Sequence, residues 1–465
     1  MSQLEAHLSE LSAFSRGLSL EDVSIYHPRP PASRSSRQYN GYVSFPSLVE
    51  DSFRRSLKTL SGRAWKPLAF PTSGFDVVPA DEKFEEEFIP GYKSSDYYPV
   101  RIGEVFRDRY QAVGKLGFGR TSTVWLARDL SECRHVTLKV LNESKTIQES
   151  LENELNVFKR IDNSPIAHPG RGAVRSLLDT FEIDGPNGRH RCFVHTALWE
   201  NLNLTRRRTG AERLSGLAMA SVLKRLFHAL DLLHQECHIA HTDISETNIQ
   251  FGTDEAVLSA FEQEELENPC PRKEADGRTV YVSRLMQAPK KLGAPVLCDF
   301  GSAMRLDDGI PRLEDIQPST YRAPEVILEI PWTSSVDIWN VGCMIWDTFQ
   351  GEDLFTGHDP ELKTYRGRAH LAEMIALLRP PPPSLLARAN LRSKFFSDAD
   401  EFCAGIPIPE PRPLEQREMF LKGEDKECFL RFMRKMLQWE PEKRSSAKEL
   451  AEDEWIVKQH ERQRH

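Results

Sequence analysis

The chain has 465 residues, 39% of them hydrophobic and 28% charged, with a formal charge of −8 at neutral pH. That composition is enough for two large core-forming units and excludes a mainly disordered chain. The negative balance argues against direct nucleic-acid binding through a general basic surface. Eight cysteines are scattered without a CxxC pair or a His/Cys cluster, so neither a zinc site nor a disulfide framework is expected. A reducing compartment, cytoplasm or nucleus, fits that usage. No apolar run reaches the ~18 residues that a bilayer span requires. The most apolar stretch, SVDIWNVGCMIWDTF, is interrupted by Asp337 and Asp347, so no membrane association is expected.

Along the chain, MSQLEAHLSELSAFSRGL places Leu4, Leu8, Leu11, Phe14 and Leu18 at helical spacing, while Glu5 and Glu10 speak against a mitochondrial presequence. A short helix packed on the main body is the reading adopted. Residues 28–40 (PRPPASRSSRQYN) are predicted to be a flexible linker, and SRSSR at 33–37 reads as a basic disordered patch. After an irregular region at 71–99 the compact domain is expected to begin near residue 95. RYQAVGKLGFGRTSTVWLARDL (109–130) predicts two strands joined by a glycine turn, and HVTLKVL (135–141) a third. SLENELNVFKRI (150–161) switches to helical period, with Leu151, Leu155 and Phe158 on one face. Beyond about residue 200 apolar residues recur at three- and four-residue steps, so the rest is predicted mainly helical. The stretches 254–294 and 380–420 break that rhythm with Pro, Glu and Gly and are expected to be insertions on the helical part.

Four groups carry chemistry. Gly117, Gly119 and Ser122 fill the small-residue positions of a GxGxxG-like turn, where backbone N–H groups can approach phosphate oxygens. Lys139 lies among apolar strand residues, where an ammonium needs a carboxylate, and Glu154 on the next helix is the candidate. In HTDISETN (241–248), Asp243 could orient a hydroxyl and take its proton, and Asn248 offers a carbonyl oxygen to magnesium. CDFGSA (298–303) adds a second acid, Asp299, followed by Gly301, whose freedom in φ would permit a sharp loop.

In this order the motifs resemble those of the eukaryotic protein kinase family. GFGRTSTV resembles the glycine-rich loop, Lys139 and Glu154 the lysine–glutamate pair, and HTDISETN the catalytic loop; DFG and YRAPE (321–325) bracket the activation segment. DIWNVG (337–342) resembles the family's DxWxxG helix start, and WEPEKR (439–444) supplies Arg444, expected to pair with Glu325. Within the family the likeness is to SR-protein kinases of the fungal type. It rests on YYPVRIGEVFRDRYQAVGKLGFGRTSTVWLARD, the threonine of HTD, DFGSA, and an insertion between the catalytic loop and DFG.

The resemblance implies an α+β, bilobal fold: an N-terminal extension (1–94), a small β-rich lobe with hinge (95–200), and a larger α-helical lobe (201–460). ATP would lie between the lobes, bound by Leu116, Gly117, Phe118, Gly119, Arg120, Thr121, Ser122, Thr123, Val124, Lys139 and Leu198, with Mg2+ on Asn248 and Asp299 and with Asp243 as base. His195 reads equally as a residue bordering the adenine and as a satisfied core histidine. The implied partner is a protein substrate rich in arginine and serine, phosphorylated on serine by a monomeric enzyme. Acids to receive such arginines are sought in Glu262, Glu264, Glu265 and Glu267, although a glutamate run reads more simply as a solvated face.

Two departures stand out. Ser245 replaces the catalytic-loop lysine that helps neutralise the moving phosphoryl group, a loss expected to cost ~10²–10³ in rate. The alternative reading is therefore a pseudokinase or scaffold. Thr242 replaces the arginine that in many kinases meets an activation-loop phosphate, so activity independent of phosphorylation at Ser302, Ser319 and Thr320 is expected.

Overall fold

The computed structural model describes residues 64–143, 145–210 and 213–462. The Leu4–Leu18 pattern, the 28–40 linker and the SRSSR motif lie outside the described residues. The chain divides into two compact units. The first contains residues up to Glu149, Arg175–Glu200 and Phe251–Ala294; the second contains Ser150–Val174, Asn201–Gln250 and the remainder from Pro295.

The first unit is built on a six-stranded antiparallel sheet. Its strands β1 (Val105–Phe106), β2 (Tyr110–Phe118), β3 (Ser122–Asp129), β4 (Arg134–Leu141), β5 (Leu177–Asp184) and β6 (Arg189–Thr196) run in the order β1-β2-β3-β4-β6-β5. Alternation decides the faces of β4. Val136, Leu138 and Val140 pack with Trp125, Ala127, Cys192 and Val194 in one apolar cluster. His135, Thr137 and Lys139 therefore belong to the opposite face. Lys139 is flanked in register by Val124 and Phe193. At the β2–β3 turn the Gly119 N–H bonds the Ser122 carbonyl at 2.8 Å.

The stretch 254–294, expected on the helical part, belongs to this sheet unit instead. It forms a helix (Glu255–Glu267) and a hairpin (Arg272–Ala275 with Arg278–Tyr281). The reason is steric as well as ionic. Phe261 lies so close to Gly114 of β2 that a Cβ there would meet its ring at 2.8 Å. Glu262 reaches His135 of β4 at 3.0 Å. Residues 64–94, expected to be partly flexible, also pack on the sheet. Trp65 donates to the Leu130 carbonyl at 2.8 Å, and Leu68 and Gln111 exchange two hydrogen bonds of 2.8 Å.

In the second unit, α1 (Lys145–Asn163), whose residues from Ser150 belong here, was expected with the sheet lobe. Its contacts explain the difference. Asn153 donates to the Ala303 carbonyl at 2.5 Å, Arg160 to Asp307 at 2.9 Å, and Phe158 meets Phe300 edge to face at 5.4 Å. α2 (Gly216–Asp231) starts at Ser215, whose hydroxyl accepts from Ala218 N–H. α3 (Ser335–Gln350) is buried along almost its whole length and stops at Gly351, which takes φ +79°. α4 (Gly423–Met436) packs Phe429 and Phe432 against Trp346, Phe349 and Trp455. The 380–420 stretch carries only short helices, Pro383–Leu386, Arg392–Phe395 and Leu414–Arg417.

Among the described residues no helix is long and apolar enough to cross a membrane, and no group of three or more His, Cys, Asp or Glu side chains is arranged to hold a metal. All eight cysteines are free.

Candidate active site

The loop His241–Asn248 leaves β7 (Ile239–Ala240), which pairs antiparallel with β8 (Met304–Arg305) and so brings the loop beside the segment after DFG. Its backbone hangs on one residue. Asp337, fully buried on α3, accepts from His241 N–H at 2.7 Å, from Thr242 N–H at 2.8 Å, and from His234 Nε2 at 2.8 Å. One turn further, Asn340 accepts from Ile244 N–H at 3.3 Å and donates to the Ile244 carbonyl at 2.6 Å. Thr242 is held at φ +67°, an unfavourable region for a β-branched residue, and its hydroxyl donates to the Ser302 carbonyl at 2.7 Å.

Within this frame Asn248 donates both to the Asp243 carbonyl at 2.8 Å and to its carboxylate at 3.0 Å. Because the amide NH₂ is committed twice, the Asn248 carbonyl oxygen is the end left for a cation. The Asn248 backbone carbonyl accepts from Cys298 N–H at 2.8 Å, which ties the catalytic-type loop to the residue before Asp299. His241 bridges the same two segments: its Nε2 meets the Cys298 carbonyl at 3.1 Å and its Nδ1 accepts from Asp243 N–H at 3.3 Å. Burial pushes the Asp243 carboxyl above the usual carboxylate range. His241 opposes the shift, Asp299 adds to it, and the Asn248 hydrogen bond opposes it. Asp243 and Asp299 are thus within electrostatic range of each other.

Asp299, not Gly301, carries the left-handed backbone of the DFG turn, with φ +63°. Aspartate tolerates that region because its short side chain bonds locally, here with Gly301 N–H at 3.4 Å. A Cβ on Gly301 would lie 3.4 Å from Asp299 Oδ1 and 3.9 Å from Glu154 Oε2, so the Glu154 carboxylate also approaches this turn. Asp243, Asn248, Asp299 and Glu154 are therefore gathered in the second unit. Leu116–Val124, Lys139 and Leu198 belong to the first.

Other sequence expectations resolve as follows. Glu325 and Arg444 form a fully buried pair joined by two bonds of 2.6 and 2.7 Å. His195 is buried and its Nδ1 donates to the Ser176 carbonyl at 2.9 Å, the satisfied core histidine. Of Glu262, Glu264, Glu265 and Glu267 on the inserted helix, Glu267 is exposed and accepts from Gln263 at 2.7 Å, whereas the other three are engaged by cations of the same chain. Glu262 meets Arg128 and His135, Glu264 meets Arg284, and Glu265, 1% exposed, meets Arg284 and Cys270 N–H. Asp337, Asn340 and Glu246 were not anticipated as site residues. A carboxylate inside the most apolar stretch of the chain was the available signal, since a buried acid must find donors.

Hard oxygen donors on a loop braced by a buried aspartate, a DFG turn beside them, and the Glu325–Arg444 pair beneath the YRAPE segment define a protein kinase. Residues 284–456 match the family model described as the protein kinase domain. The chain belongs to this family: a serine/threonine protein kinase of Aspergillus fumigatus is 39% identical over 394 residues, covering 83% of this chain and 94% of that protein. The SRPK serine/threonine-protein kinase of Physarum polycephalum is 29% identical over 396 residues, 80% of this chain and 92% of its own length. SRSF protein kinase 3 of Homo sapiens is 35% identical over 183 residues, 39% of this chain and 32% of that protein. The chain is a serine/threonine protein kinase of the SR-protein-kinase type, with ATP as phosphoryl donor and protein as acceptor. The scaffold alternative draws no support from these relatives, each of which is named as a kinase.

Proposed function

We propose that this kinase phosphorylates serine in arginine/serine-rich segments, that its two units are the lobes of a bilobal enzyme, and that Asp243 is its catalytic base. The observation that carries the reading is the double donation of Asn248 to the Asp243 carbonyl and carboxylate, which orients base and metal-facing oxygen together. Asp243 would hold the serine hydroxyl and accept its proton late in the transfer. Lys139, partnered by Glu154, would grip the α- and β-phosphates, and the backbone of Leu116–Val124 would cover them, with Leu198 against the base. Asn248 and Asp299 offer the hard oxygens that suit Mg2+, which when bound would neutralise phosphate charge. Ser245 cannot supply the usual cation. Its hydroxyl is 2.7 Å from Thr247 Oγ1, so the loop is closed there by a neutral contact and turnover is slowed without losing its geometry.

The arginine preference has its own support in the second unit. Tyr321, the first residue of YRAPE, hydrogen-bonds Asp347 and feels Glu246 and Asp353 as well; burial first, then these acids, raise its pKa well above the ordinary phenol value. Burial likewise pushes the Asp347 carboxyl well up, with Asp353 adding to the shift. The acids gathered beside Tyr321 are the partners that an incoming guanidinium would seek.

The test is phosphate transfer from labelled ATP to an arginine/serine repeat peptide by wild type, Asp243→Ala and Ser245→Lys. Wild type should label the peptide, Asp243→Ala should not, and Ser245→Lys should be faster by about ten-fold or more. Labelling by Asp243→Ala at the wild-type rate would reject the base. A silent wild type rescued by Ser245→Lys would favour the scaffold reading.

A further inference from the structure

One cluster of fully buried charges in the first unit lies outside every residue assigned above. Glu85 and Glu86, in the 3₁₀ turn Glu85–Phe88 that precedes the sheet, are both 0% exposed, and Lys115 of β2 is 1% exposed. The Lys115 ammonium contacts Glu86, bonds Glu85 at 3.3 Å, and donates to the Tyr281 carbonyl at 3.1 Å. Arg278 donates to Glu86 Oε1 at 2.7 Å, while Glu85 accepts from Ser283 N–H at 3.1 Å and from its hydroxyl at 2.6 Å. Two acids and two cations thus lock the extension, β2 and the inserted hairpin to one another. The lock even accommodates φ +50° at Glu85, a region that residues other than glycine seldom occupy.

A buried ionic cluster is weak evidence for stability, because apolar residues of similar volume often do as well; what it supplies is fixed direction. Here the direction leads to the glycine turn by two routes. Lys115 immediately precedes Leu116, at the register shift between Lys115 and Gly117 where the regular β2–β3 pairing is interrupted. Its ammonium lies 4.9 Å from the ring centroid of Phe118, a residue of the turn. Arg278 lies over the Tyr97 ring at 5.2 Å, and the Tyr97 hydroxyl donates to the Gly119 carbonyl at 3.4 Å.

We infer that Glu85 and Glu86 are positioning residues for the nucleotide: acting through Lys115 and Arg278–Tyr97, they hold the Phe118–Gly119 turn in the conformation that receives the phosphates. The inference rests on the reading of that turn as the phosphate cradle. It makes the extension and the insertion parts of the ATP site without either touching ATP.

The experiment is steady-state kinetics of the full chain, varying ATP at saturating peptide and then peptide at saturating ATP. Glu86→Gln and Lys115→Met should each raise the KM for ATP by about ten-fold while kcat and the peptide KM stay within about two-fold. The double variant should be no worse than the worse single one, since both cut the same link. A purely structural role would lower the active fraction, hence kcat, with the KM for ATP unchanged, and that result overturns the inference. Gly119→Val is the reference, because a Cβ there meets nothing within 4 Å and folding is not at stake. If Gly119→Val raises the KM for ATP and the cluster variants do not, the inference fails and the cradle stands. If none of the three moves it, the cradle itself fails and the inference with it. Should the cluster variants not fold, Tyr97→Phe decides alone: a rise of about three-fold supports the inference, and a wild-type KM overturns it.

Discussion

Replacing Asp337 by Asn keeps the size of the side chain and removes one acceptor edge. The carboxylate takes His241 N–H and His234 Nε2 on Oδ2, and Thr242 N–H on Oδ1, with distances of 2.7 to 2.8 Å. The best amide orientation keeps its oxygen at the Oδ2 position and turns its NH₂ toward Thr242 N–H. One hydrogen bond to a carboxylate is lost, about 1.5–3 kcal/mol, and a buried donor is left unsatisfied, about 1–3 kcal/mol more. The sum is about 2.5–6 kcal/mol, concentrated at a residue already strained at φ +67°. Thr242 precedes Asp243, so relaxation of that strain should displace the proposed base and lower kcat by about 10²-fold. Urea unfolding of wild type and Asp337→Asn, followed by kcat on the same preparations at a denaturant-free temperature well below the transition, measures both. A variant less than about 1 kcal/mol weaker, with unchanged kcat, would refute the claim that this aspartate shapes the loop.

Alanine at Ser302, Ser319 or Thr320 should leave turnover within about two-fold, because a neutral Thr242 offers no charge to a phosphate; abolished turnover would overturn this. Arg444→Leu leaves Glu325 buried without its partner and should cost about 3–5 kcal/mol in unfolding experiments, whereas Glu325→Gln combined with Arg444→Met should recover most of that. His135 is mostly buried, which alone would lower its pKa, but Glu255 and Glu262 on its two ring nitrogens outweigh burial and hold it above the ordinary 6.5. The stability it contributes is therefore complete below about pH 6.5 and lost as pH rises through the folded value. The stability difference between wild type and His135→Asn should shrink as pH rises above about 6.5, and a difference that grows with pH would show the sign to be wrong.

Strands β2, β3 and β4 and the helix at 150–161 were legible because alternation and helical period leave marks in a few consecutive residues. Glu325 and Arg444 were legible only through resemblance, since nothing local pairs residues so far apart. The placement of 254–294 was hidden for a related reason. Its glutamates look like a solvated run until Arg128, His135, Arg272 and Arg284 are seen to meet them, and Gly114 looks like an ordinary strand glycine until Phe261 is seen to need its missing side chain. Gly301 misled in the opposite direction. Its flexibility suggested the left-handed turn, but the aspartate two positions earlier takes it, because that residue's own carboxylate can bond the following N–H.

The two departures in the catalytic loop, Thr242 and Ser245, have a common structural basis. The path of the loop is set mainly by backbone groups, His241 and Thr242 N–H on Asp337 and both Ile244 groups on Asn340, to which the hydroxyls at 242 and 245 add one neutral contact each. Glu246 is fastened separately, accepting from the Thr348 hydroxyl at 2.6 Å and meeting Arg206 at 3.2 Å. A loop held in this way can lose a lysine and an arginine without losing its shape, since neither was a support. What it loses is charge toward the phosphoryl group and toward an activation-segment phosphate, so the cost falls on rate and on regulation rather than on folding. For that reason Ser245→Lys should change turnover while leaving the unfolding midpoint close to that of the wild type, and a large stability change would mean that Ser245 and its contact with Thr247 are part of the frame after all.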